Sequence, residues 1–136
     1  MIGIDLLRKV DFLQGLAEGE LLSIAHFFKE ENVGPGVTLC EEGARAKGLF
    51  VLEHGRVSIS SKRGRQYYID TPGKILGWSF LVPPFLYTAS VVTMTPSVLL
   101  VIRSLHFYDF IHKEPKMEIK VLSNLAQVIA SRLRGT

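Results

Sequence analysis

Leu76-Gly77-Trp78-Ser79-Phe80-Leu81-Val82-Pro83-Pro84-Phe85-Leu86-Tyr87-Thr88-Ala89-Ser90-Val91 is the stretch on which the fold turns. It reads as the end of a strand, a glycine, one short helical turn, a double-proline loop and the start of another strand. A helical turn that follows a glycine directly leaves backbone N–H groups without intrahelical partners and aimed at one spot. That arrangement suits an anion such as a phosphate.

On both sides of this stretch the pattern is β. Between Glu31 and Ile102, glycines punctuate short runs rich in Val, Ile, Phe, Tyr and Thr, and Gly55, Gly64 and Gly73 recur every nine residues. That spacing fits strand-turn-strand units, and glycine supplies the positive φ that tight turns need. Arg56 to Ser60 alternates polar and apolar residues, so Val57 and Ile59 share one face. Leu49 to Leu52 is wholly apolar, as in a strand covered on both sides. Thr88–Thr95 and Ser97–Arg103 are β-branched runs parted by Pro96, which cannot continue a ladder. Many short strands without intervening helices predict an antiparallel arrangement.

Helical periods lie at the two ends. Ile4 to Val10 and Glu18 to Phe28 carry apolar residues at helical spacing. Ser104 reads as the N-cap of a short helix to His112, and Pro115 as the first turn of a long one that stops at Gly135. The prediction is a mainly β fold with flanking α: an antiparallel β-roll of the jelly-roll type in a single domain, 1–136. N-terminal helices occupy 1–30, the roll 31–103 with its decisive segment at 76–91, and C-terminal helices 104–136, ending in a long one.

The tract 76–91 resembles the phosphate-binding cassette of cyclic-nucleotide-binding domains, the sensor domains of the Crp/Fnr type. In outline that cassette runs Phe-Gly-Glu-Leu-Ala-Leu, a short loop, then Arg-Ala-Ala-Thr-Val. Gly77, Leu81, Ala89 and Val91 keep the pattern without a gap. Pro35-Gly36 through Cys40-Glu41-Glu42-Gly43, Leu49 through Val57 and Pro72-Gly73 resemble further marks of the family in order. The resemblance implies a regulatory, ligand-sensing role in signal transduction and no catalysis.

It also exposes two departures. In the family the cassette Glu accepts from the ribose 2′-hydroxyl and the Arg forks onto the cyclic phosphate. Trp78 stands at the Glu position and Tyr87 at the Arg position. An indole only donates, and a neutral phenol cannot replace a charged, planar guanidinium. A hydrogen bond to a charged group contributes about 1.5–3 kcal/mol, so losing a forked pair weakens binding about a hundredfold or more. Ordinary cyclic AMP or cyclic GMP binding is therefore not expected.

Two arrangements of the altered pocket stay open. In one, Trp78, Phe80, Phe85 and Tyr87 fill the cavity, leaving a structural or protein-interaction roll. In the other, Gly77, Trp78, Ser79, Tyr87, Thr88 and Ala89 line a cleft for a different small molecule. The Tyr87 and Thr88 hydroxyls and the Gly77, Thr88 and Ala89 N–H groups then serve as polar anchors.

The long helix carries two adjacent apolar stripes. Leu122, Ala126, Ile129 and Leu133 keep four-three-four spacing, and Val121, Leu125 and Val128 lie alongside. One stripe suffices to dock a helix, so the second predicts a homodimer through it, as in the resembled family. In DNA-binding relatives a winged helix-turn-helix follows; the sequence stops at Thr136, and no specific DNA binding is expected.

Composition narrows the remaining classes. Net charge is +3, and the basic residues gather at Lys62, Arg63 and Arg65 and at Arg132 and Arg134. These read as a solvated hairpin tip and a helix C-terminus, where cations favour the dipole. No segment resembles a membrane span or a secretory signal. One cysteine, Cys40, implies no internal disulfide, so a cytoplasmic protein is the simplest reading. His26, His54, His106 and His112 lack metal-ligand spacing, Glu41-Glu42 reads as a solvated turn, and Ser79 lacks a nucleophile elbow. No metal, cofactor or catalytic residue is expected.

Overall fold

The computed structural model describes residues 3–64 and 66–134. The chain opens with helix α1 (Ile4–Leu7), a 3-10 turn over Asp11–Leu13 and helix α2 (Glu18–Ala25). Eight strands follow: β1 (Lys29–Val33), β2 (Thr38–Cys40), β3 (Gly48–His54), β4 (Val57–Ser60), β5 (Gln66–Ile69), β6 (Ile75–Leu76), β7 (Ser90–Thr93) and β8 (Ser97–Arg103). Between β6 and β7 lies a second 3-10 turn, Trp78–Leu81. Helices α3 (Ser104–Ile111) and α4 (Pro115–Leu133) close the chain.

The strands form two antiparallel four-stranded sheets, ordered β1-β8-β3-β6 and β2-β7-β4-β5. The predicted β-roll with flanking helices is thus observed. Leu49, Val51, Leu52, Leu99, Leu100 and Ile102 of β3 and β8 are buried from solvent. Phe107 of α3 sits among Phe12, Phe80 and Tyr108, with ring centroids 6.1, 5.3 and 6.1 Å away. Among the described residues no helix is long and apolar enough to cross a membrane.

Several boundaries differ from the sequence reading. Helix α1 stops at Leu7, because the Asp11 N–H and the Gly73 carbonyl bond at 2.9 Å and pull the chain onto the roll. Gly73 (φ +94°) is obligatory there: a Cβ would collide with the carbonyl of Lys9. Helix α2 ends at Ala25, and the roll begins at Lys29, earlier than residue 31. Strand β7 covers only Ser90–Thr93 of the run expected from Thr88 to Thr95. Ser104 is not an N-cap; Arg103 holds that position without a side-chain bond, and Ser104 N–H donates to Lys47 O at 2.9 Å. Pro115 opens α4 as expected. The expected stop at Gly135 lies outside the described residues, as does Arg65.

Candidate functional site

Gly77 adopts φ +77° and joins β6 to the Trp78–Leu81 turn. A Cβ there would sit 2.9 Å from Cys40 Sγ and 3.2 Å from Tyr87 Cε1, so both backbone and packing demand glycine. The turn projects Phe80 into the core, where it packs edge-on against Phe107 and Tyr108 and its carbonyl accepts from the Tyr108 hydroxyl at 3.2 Å. Phe85, beyond the double proline, is 42% exposed. Of the four aromatics considered for filling the pocket, only Trp78 and Tyr87 face it.

A cavity of about 180 Å³ remains between the turn, β4, β7 and the end of α4. Gly77, Trp78, Ser79, Tyr87, Thr88 and Ala89 all line it. So does Leu133, while Leu122, Ala126 and Ile129 do not. The space exceeds the room one water needs, roughly 10–15 Å³, many times over.

Tyr87 is held on every side. Its N–H donates to Ala44 O at 2.9 Å, its carbonyl accepts from Gly43 N–H at 2.8 Å, and its hydroxyl donates to Gly48 O at 3.2 Å. The proton counted as a ligand anchor is therefore committed to Gly48, and an acceptor lone pair remains. Burial, and next the neighbouring Cys40, push the phenol up to about 12. Burial likewise pushes the Cys40 thiol up to about 12. Both groups stay neutral near pH 7, so neither offers a charge to a ligand.

The charge in this cavity comes from elsewhere. Arg132 lies in the last turn of α4, the helix end expected from sequence, but it is only 8% exposed and lines the pocket. Its Nη2 donates to Ile75 O at 2.7 Å and lies 3.9 Å from Asp11 Oδ2. Its Cζ stands 5.4 Å from the centre of the Trp78 ring, within cation–π range. Asp11 Oδ2 also accepts from Ile75 N–H at 3.2 Å, and Oδ1 has no hydrogen-bond partner among the described residues. Burial raises the Asp11 carboxyl, while the Ile75 N–H and Arg132 pull it back. Sequence reasoning missed Arg132 although a signal existed: four residues past Val128, it continues the buried stripe of Val121 and Leu125.

The other stripe of α4 faces outward. Leu122 is 41% and Leu133 74% exposed, and Ala126 is exposed as well, with Ile129 half-buried. Ile119, 70% exposed, extends the same stripe one step towards the N-terminus. Elsewhere Lys62 and Arg63 are exposed at the β4–β5 turn, where Glu42 Oε1 accepts from Lys62 N–H at 2.9 Å. Among the described residues no group of three or more His, Cys, Asp or Glu could hold a metal ion.

Residues 30–114 match the family model described as Cyclic nucleotide-binding domain. The chain superposes with TM-score 0.83 and 25% identity on a solved candidate cyclic nucleotide-binding protein from Geobacter metallireducens, covering 98% of this chain and 99% of that one. It also matches, at TM-score 0.75 and 21% identity, a mutant regulatory subunit of a cAMP-independent protein kinase A from Trypanosoma brucei, bound to cAMP in its A site. That match covers 91% of this chain and 44% of the other. In sequence it is 27% identical over 121 residues to Glutaminase 2 of Bradyrhizobium diazoefficiens, covering 89% of this chain. The chain spans only 19% of that glutaminase's length.

Proposed function

We propose that this chain, which belongs to the cyclic nucleotide-binding domain family, is a non-catalytic, cytoplasmic ligand-sensing module for a small molecule other than cyclic AMP or cyclic GMP. The observation that carries the reading is a cavity of about 180 Å³ whose two cassette positions, Trp78 and Tyr87, hold no charge. A cyclic ribose phosphate would meet a phenol already bonded to Gly48 where its phosphate needs a fork of charged donors.

Native mass spectrometry of the purified protein, with thermal shifts across a nucleotide and metabolite panel, tests the reading. A co-purifying small molecule or a shifted melting temperature is expected. Unliganded protein that answers nothing in the panel favours a structural roll. Calorimetric titration with cyclic AMP should give no binding in the micromolar range, and tight binding there would overturn the exclusion.

The exposed stripe of α4 supports a homodimer, since Ile119, Leu122, Ala126, Ile129 and Leu133 repeat at three-four spacing over the helix length. Ligand would act by binding one arrangement of that helix better than another. Light scattering at micromolar concentration should return twice the chain mass; a monomer there removes the dimer. This reading gives the module no part in reading DNA or spanning a membrane.

A further inference from the structure

Among the described residues lining the cavity, Arg132 is the sole charged side chain. It enters from the last turn of α4, at the opposite end of the chain from the Asp11 carboxylate that flanks it. Asp11 itself does not line the cavity, whereas Arg132 does. The Asp11–Arg132 separation of 3.9 Å exceeds the roughly 2.7–2.9 Å of a charge-assisted hydrogen bond. The guanidinium also lies over Trp78, the position at which the family pattern carries a carboxylate. The charge at that end of the pocket is thus reversed, while position 87 has become neutral. Ile59, Leu76 and Val91 supply an apolar wall beside it.

We propose that Arg132 is the anion-recognition residue of this pocket, and that the pocket prefers a singly charged organic acid with a largely apolar body, its acid group turned towards the end of α4. This rests on the reading that the cavity receives a small ligand.

Matched acid and amide probes separate charge from shape: phenylacetate with phenylacetamide, and cyclohexanecarboxylate with its amide. Trp78 is the only tryptophan in the chain, and its fluorescence reports on the ring that Arg132 covers. Titrations followed by this signal and by calorimetry should show each acid binding at least about tenfold tighter than its amide, as expected for a hydrogen bond to a charged group. Arg132→Gln should bring acid and amide to within about twofold by weakening only the acid, because the charge-assisted share is removed. Arg132→Lys keeps a charge without the planar fork and should retain a reduced acid preference; it also serves if the glutamine variant does not fold, as judged by its melting curve. Equal binding of acid and amide by the unaltered protein, or an acid preference that survives Arg132→Gln, overturns the assignment and leaves the small-ligand reading standing. If no probe binds even at millimolar concentration, the assignment falls, and the small-ligand reading rests on the mass-spectrometric test alone.

Discussion

The two sheets are built from similar residues and closed in different ways. Strands β3 and β8 bury Leu49, Val51, Leu52, Leu99, Leu100 and Ile102, and an aromatic cluster around Phe107 seals the helical side. Strands β4 and β7 bury Val57, Ile59 and Val91, yet the space beyond Ile59 and Val91 stays open. Its walls are a glycine turn, a tyrosine tied to a carbonyl and an arginine tied to a carbonyl. Apolar packing fixes a shape by filling space; hydrogen bonds to backbone fix one while leaving space, because their geometry is directional. The first sheet is packed against its helices, and the second leaves a cavity beside it.

Substitutions can break or sharpen that contrast. The largest effect is expected from Phe107→Ala, which empties the centre of the sealed side and should cost about 3–5 kcal/mol in chemical denaturation; a loss under about 1 kcal/mol would mean the cluster is not what closes it. Gly73→Ala forces an L side chain to φ +94° against the Lys9 carbonyl and should cost about 2–3 kcal/mol by the same measurement. On the site side, Tyr87→Arg returns a guanidinium to the cassette. It should raise cyclic AMP affinity about tenfold or more by calorimetry; no gain would show that something other than the missing charge excludes the nucleotide.

Alkaline pH sharpens the contrast next. The Cys40 thiol and Tyr87 phenol are raised from 9.0 and 10.0 to about 12 in the folded chain. Folding therefore holds protons that the unfolded chain releases, so this stabilising contribution is complete below pH 9 and declines as pH rises towards 12. Between pH 9 and 10 the thiol alone should remove about 1 kcal/mol, and Cys40→Ala should flatten that slope. A slope unchanged by this variant would place the titration elsewhere. The smallest effect is expected from Leu133→Ser, at an exposed position: unfolding free energy of the monomer should stay within about 0.5 kcal/mol while light scattering shifts towards the single-chain mass.

Much of this was legible in order along the chain, and the exceptions have physical reasons. Strand β8 runs from Ser97 to Arg103 as read, since Pro96 bounds a β-branched run. Strand β1, Lys-Glu-Glu-Asn-Val, carries no such run; it is an edge strand, exists through its ladder with β8, and its charges suit an exposed edge. Strand β6 has two residues, too few for any period. The six residues named from sequence line one cavity because they are near neighbours around one turn. Arg132 and Asp11 could not be paired that way, because only the docking of α4 on the first 3-10 turn brings them together.

That docking has a mechanical consequence. Asn124 Nδ2 donates to Phe12 O and Gln14 O at 3.0 and 2.7 Å, and Arg132 holds Ile75 O two turns further on. The first clasp grips main-chain carbonyls away from the cavity; the second forms part of its wall. The eight residues from Asn124 to Arg132 span about 12 Å of helix, with the far end at the cavity wall. Amide hydrogen exchange should then divide the helix at Asn124, with occupancy altering protection beyond it and leaving the N-terminal half as it was.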